Sequence, residues 1–120
     1  MRMYSVVQAT IEWLEGLGFA AYSIDPPAED VPDRFATVER PGGYVADKVD
    51  HPSVAIQCWA PTDTEAEAMA LTVRNHIVLG SRPVGVWNMS VNSGPYDFYD
   101  EDTRCPRYQL YVDMTCQLTD

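Results

Sequence analysis

The chain has 120 residues, 46% of them apolar and 22% charged, a makeup that suits one folded domain and excludes a disordered polar chain. Eight Lys and Arg against eighteen Asp and Glu leave a net charge of −10, the wrong sign for a partner held by phosphate neutralisation. Glu12 and Glu15 interrupt the apolar positions that follow Arg2, so no secretory h-region is expected, and no run approaches the roughly 18 apolar residues of a membrane span.

Helical spacing of Met3, Val6, Val7, Thr10, Ile11, Leu14 and Leu17 predicts an amphipathic helix, with Gly18 where a C-cap would stand. Phe19 to Ile24 reads as a short strand stopped by Pro26-Pro27, and Asp25 to Asp33 as a polar loop. Phe35 to Arg40 reads as a second strand ending at Pro41-Gly42-Gly43. Val54, Ile56, Cys58 and Ala60 alternate with Ala55, Gln57 and Trp59, so a third strand is expected to form a hairpin with the second, through a long tip from Tyr44 to Ser53.

Thr62-Asp63-Thr64-Glu65 matches a capping box, in which the Thr62 hydroxyl and the Glu65 carboxylate satisfy free amides of the first helical turn. The helix that follows carries the stripe Ala66, Met69, Ala70, Val73, Ile77 and should end near Gly80 and Pro83. Val84 to Val91 and Arg107 to Leu118 complete the strands. In the last strand Tyr108, Leu110, Val112, Met114, Cys116 and Leu118 share one side, a gross burial on the order of 10 kcal/mol. The order α-β-β-β-α-β-β predicts a single α+β domain, two helices on one face of a largely antiparallel sheet of about five strands.

The search for chemistry yields no catalytic or cofactor-binding set. Cys58, Cys105 and Cys116 have the spacing of neither a disulfide framework nor a metal site, and suggest a reducing cytoplasm during synthesis. Cys58 and Cys116 fall at apolar phases and read as core. His51 lies in the expected hairpin tip and His76 on the second helix, where it suits the C-terminal dipole; neither has a metal-ligand partner at helical spacing. Asp97, Asp100, Glu101 and Asp102 read either as a cation site or as a solvated loop, but the order of an EF-hand is absent. Tyr96, Phe98 and Tyr99 interleave with these acids and add a third reading, an aromatic contact patch for another protein. Trp13, Trp59 and Trp87 read as core or subunit contact.

Phe35-Ala-Thr-Val-Glu-Arg-Pro-Gly-Gly43, followed by Pro52-Ser-Val-Ala-Ile-Gln-Cys-Trp-Ala60 and the Ala-rich Glu65 to Arg74, resembles tail terminator proteins of phages and prophages of actinobacteria. Ser93-Gly94-Pro95-Tyr96 and Pro106-Arg107-Tyr108-Gln109-Leu110 match as well, so the resemblance runs over residues 30 to 118, with the loop from Tyr44 to His51 departing from it. It implies a structural virion protein of the tail with no enzymatic activity, assembled in the host cytoplasm into a ring that is usually a hexamer. Such a ring ends polymerisation of the major tail tube protein and offers a surface to the head-tail connector protein. DNA passes through its lumen without specific binding, no membrane is involved, and a negative lumen would let the DNA slide.

A ring needs two different complementary surfaces on each copy. Arg40, Tyr44 and Lys48 in the hairpin tip, and Tyr96, Phe98 and Tyr99 in the acidic aromatic loop, are the expected contacts. A head completion or connector ring of the same junction is the nearest alternative. More distant ones are a small ligand-binding regulatory domain, with Trp59 or Trp87 lining a pocket, and an enzyme using Cys105 beside Arg104 and Arg107.

Overall fold

A computed structural model describes residues 4–23, 30–99, 101–102 and 105–118. Helix α1 (Val6–Gly16) starts where the Ser5 hydroxyl accepts the Gln8 amide at 3.2 Å; the predicted first residue, Met3, lies outside the described residues. It stops in paired bonds from Phe19 N–H to Leu14 C=O and from Gly18 N–H to Glu15 C=O, a closure that needs the left-handed backbone of Gly18 at φ 98°.

Strand β1 (Ala21–Ser23) is shorter than expected, and Ile24, Pro26 and Pro27 lie outside the described residues. β2 (Phe35–Ala46), β3 (Val49–Trp59), helix α2 (Asp63–Val78), β4 (Val86–Asp97) and β5 (Arg107–Gln117) follow in the predicted order. The sheet runs β1-β2-β3-β5-β4, with β1 parallel to β2 and every other pair antiparallel. The α+β architecture is therefore as expected.

Both helices cover the same face. Val6, Ile11 and Leu14 of α1 and Met69, Ala70, Val73 and Ile77 of α2 share one core cluster with Val38, Ile56, Leu110, Val112 and Met114. Alternation along β3 and β5 sends Val54, Ile56, Cys58, Leu110, Val112, Met114 and Cys116 into that core. Leu118 is expected there from its phase, but β5 ends at Gln117 and Leu118 is exposed.

Two expected loops are strand. The tip from Tyr44 to Ser53 belongs to β2 and β3, which continue to a two-residue turn at Asp47-Lys48. Both turn residues have positive φ, 53° and 64°, the signature of a turn whose twist matches the strands it joins. Pro41-Gly42-Gly43 does not stop β2, because the chain absorbs it in a register shift between Glu39 and Gly42. β4 likewise starts at Val86 instead of Val84 and runs on through Ser93–Asp97 with two further irregularities, so Tyr96 sits on a strand and only Phe98 and Tyr99 follow it.

The capping box is present. Thr62 Oγ1 accepts the Glu65 amide at 3.2 Å and donates to the Glu65 carboxylate at 3.1 Å, while Arg34 donates to the same carboxylate at 2.6 Å. The bond from Arg34, then that from Thr62, holds the Glu65 carboxyl below its usual range. A depressed carboxylate pKa stabilises the fold above the unfolded value and ceases to do so as pH falls through the folded one. Wild type should therefore exceed Glu65→Gln in thermal stability at neutral pH, and the gap should narrow as pH falls below 4.5, the ordinary value of a glutamate. A gap independent of pH in circular-dichroism melts would refute this.

Gly43 has φ 129°, and a Cβ there would lie 2.5 Å from the backbone oxygen of His51. Gly43→Ala should cost roughly 2–3 kcal/mol in urea unfolding. A loss under about 1 kcal/mol would show that the ribbon can shift to make room.

Candidate assembly surface

The face of the sheet turned away from the helices carries a chain of buried amides and hydroxyls. Register places Thr37, Gln57 and Gln109 side by side across β2, β3 and β5, with Tyr96 of β4 opposite Gln109. Gln57 is the hub: its Oε1 accepts from Thr37 Oγ1 at 2.6 Å, and its Nε2 donates to Glu39 Oε1 at 2.9 Å and to Gln109 Oε1 at 2.8 Å. Trp59 Nε1 donates to Thr37 Oγ1 at 3.0 Å, and Gln109 Nε2 donates to the Tyr96 hydroxyl. Thr37, Gln57 and Gln109 are all buried, and among the described residues no buried side-chain nitrogen or oxygen lacks a partner.

A row of rings runs beside this chain. Tyr22 meets Phe35 edge-on at 6.1 Å, and Phe35 stacks on Trp59 at 5.6 Å with planes 7° apart. The Arg107 guanidinium carbon then lies 4.8 Å from the Trp59 ring centre and 4.3 Å from that of Phe98, which meets Tyr96 edge-on at 6.1 Å. Arg107 Nε also donates to Phe98 C=O at 2.7 Å. Of the predicted contact residues, Tyr96 and Phe98 thus join one row, and Tyr99 stands exposed beside it, its amide donating to Asp97 Oδ1 at 3.0 Å.

Tyr44 lies towards the other end of the sheet, about 26 Å away by strand rise from His51 to Trp59, with Lys48 in the turn beyond it, and Arg40 lies between, in the irregularity from Glu39 to Gly42. Arg40 is engaged within the chain, its two terminal nitrogens donating to both oxygens of buried Asp50 at 2.9 and 2.7 Å. Tyr44 is 64% exposed and stacks on His51 with ring centres 4.6 Å apart. Lys48 is exposed in the turn. Val45, Val78, Leu79, Val84, Trp87 and Leu118 are exposed in the segments that end or begin here.

Tyr96, Phe98 and Tyr99 are legible in the sequence as a surface, and Thr37, Gln57, Gln109, Phe35 and Arg107 are not. The signal available was the polar phase of β5, Arg107, Gln109, Tyr111, Asp113 and Thr115, set against the phase of β3 that carries Gln57 and Trp59.

Chemically the surface offers contact and hydrogen bonding. A polar groove of about 250 Å³ lies between Tyr44, His51, Ser53, Asn88, Ser90 and Asp113, and an apolar one of about 450 Å³ between Val31, Pro32, Phe35, Trp59, Pro61 and Cys105. Burial pushes the Cys58 thiol up to about 12 and raises that of Cys116, which keeps both as thiols at neutral pH. Cys105 is exposed, and Arg104, its expected partner, lies outside the described residues, as does Asp100 of the acidic cluster. Among the described residues no three His, Cys, Asp or Glu side chains come together as a metal site, and no helix is long and apolar enough to cross a membrane.

Gln57→Leu keeps the volume and removes three hydrogen bonds, leaving Thr37, Glu39 and Gln109 to find others. It should cost roughly 2–4 kcal/mol in chemical denaturation and quench or shift Trp59 fluorescence. An unchanged unfolding midpoint would show that the amide chain contributes nothing to the sheet.

The chain matches no protein-family model and no curated protein.

Proposed function

We propose that this protein is a tail terminator of a long-tailed phage, a structural protein that closes into a ring of six copies at the head-proximal end of the tail tube. The observation that carries the reading is the placement of exposed apolar and aromatic side chains at both ends of the sheet. Tyr96, Phe98 and Tyr99 mark one end; Val78, Leu79 and Val84 mark the other. Apolar groups left in water at two separate places suit a part that is held from two sides. Tube protein on one axial face and connector protein on the other would cover them. The resemblance in residues 30 to 118 gives the same answer independently of exposure.

Within this reading the lumen has two possible linings with different charge. The described part of the uncovered sheet face carries Glu39 and Asp113 against Arg107, close to neutral and otherwise amide, hydroxyl and ring. Glu12, Glu15, Asp63 and Glu67 lie exposed on the helices. A lumen walled by the sheet would let DNA pass over a neutral polar surface, and a lumen walled by the helices would repel it.

Purified protein should run as a ring of several copies in light scattering, and adding it to polymerising tail tube protein should stop tube growth at one end. A strict monomer that leaves tube length unchanged would end the proposal. A ring that binds portal-side proteins and ignores the tube would turn it into the connector reading.

A further inference from the structure

Each copy has two strand edges without a described neighbour, on opposite sides of the sheet. β1 pairs with β2 only over Ala36–Val38, so the outer side of β2 from Gly42 to Ala46 faces no described strand. β4 is the last strand at the other side and pairs only with β5.

Open edges are normally guarded by charge, above all lysine. Here Pro41–Ala46 and Val86–Tyr96 contain no charged residue in a chain that is 22% charged. Tyr44, Val45 and Trp87 add exposed apolar surface along them.

The two edges also match each other. Three successive antiparallel pairings from β2 through β3 and β5 to β4 leave β4 running opposite to β2. One register row joins Val45, Asp50, Cys116 and Val86, and another joins Gly42, Ser53, Asp113 and Ser90, so Gly42–Val45 is level with Val86–Ser90, the extra residue of β4 lying in the irregularity between Val86 and Asn88. A second copy in the same orientation would therefore meet the first in antiparallel register, with the two ends of the segments level and the bulge at Trp87 absorbing the one extra residue of β4. On β4 two backbone groups are held by side chains of exposed residues: Met89 N–H donates to Asn88 Oδ1 at 3.0 Å, and Trp87 C=O accepts from Arg82. Such contacts are local and can be exchanged for ladder bonds.

We propose that Gly42–Val45 of one copy pairs with Val86–Ser90 of the next, joining the sheets of successive copies into one continuous sheet. This is a head-to-tail contact, and it closes into a ring when the rotation per copy divides the circle. The number of copies rests on the terminator reading; the pairing itself does not.

The test uses the full chain with Cys105→Ser. Adding Val45→Cys and Trp87→Cys together should give, on mild oxidation, a ladder of disulfide-linked species beyond the dimer on a non-reducing gel, and either one alone should stop at the dimer. Val45→Lys alone should raise the concentration for half-assembly at least tenfold, and Val45→Lys with Trp87→Glu should bring it back towards wild type, an outcome that misfolding would not produce. Dimers only from the double cysteine variant, or unchanged assembly of Val45→Lys, overturn the pairing. If a ring still forms by light scattering in that case, the terminator reading stands without it. A ladder from a protein that never arrests tube growth keeps the pairing and removes the tail role, whereas a monomer at all concentrations removes both.

Discussion

The Gln57 side-chain amide is the constraint on which the uncovered half of this protein depends. Two helices suffice to cover one face of a five-stranded sheet, and the opposite face must be stable without a second layer. Gln57 supplies part of that stability by joining β2, β3 and β5 through Thr37, Glu39 and Gln109, while Gln109 carries the chain on to Tyr96 of β4. A slip of one residue in any of these strands would break the amide chain and turn Val38, Ile56 or Leu110 out of the core, so the polar and apolar faces enforce the same register. The ring row from Tyr22 to Tyr96 then packs along a frame that is already fixed.

Much of this fold was legible because local signals agreed with the tertiary outcome. Thr62 and Glu65 start α2 as a capping box should, Gly18 and Gly80 end the helices in left-handed backbone, and the alternation in β3 and β5 assigns each side chain to its face. The misread segments are those where a local signal was outvoted by pairing. Pro41-Gly42-Gly43 resembles a strand end, yet β3 lies alongside, and its pairings from Ser53 back to Val49 carry β2 across the irregularity. Asp47-Lys48 lacks the glycine usual at such a turn, so a two-residue reversal left no mark in the sequence.

The candidate surface was only half legible for a related reason. Tyr96, Phe98 and Tyr99 stand close together in the chain, and proximity alone suggests a patch. Phe35, Trp59 and Arg107 reach the same place from three strands, and their meeting follows from the pairing of Phe35 with Trp59 and of Trp59 with Arg107, a fact of register. Arg40 shows the opposite error. Taken alone it looks like a free cation at a tip, but the register shift beside it lets it reach Asp50, and a buried carboxylate without that partner would be costly.

The distribution of charge follows from the same geometry. An uncovered sheet face built from amides, hydroxyls and rings has little room for carboxylates, since each would need a partner as good as the one Glu39 finds in Gln57. The acidic excess falls instead on the helix surfaces and loops, where water solvates it. Like-charged walls repel one another, and edges and ends without charge do not, so the proposed contact between copies would be disfavoured through the helices and permitted along the sheet. In the proposed assembly, a net charge of −10 would thereby orient association, leaving the uncharged strand edges and the apolar ends as the places where copies can meet.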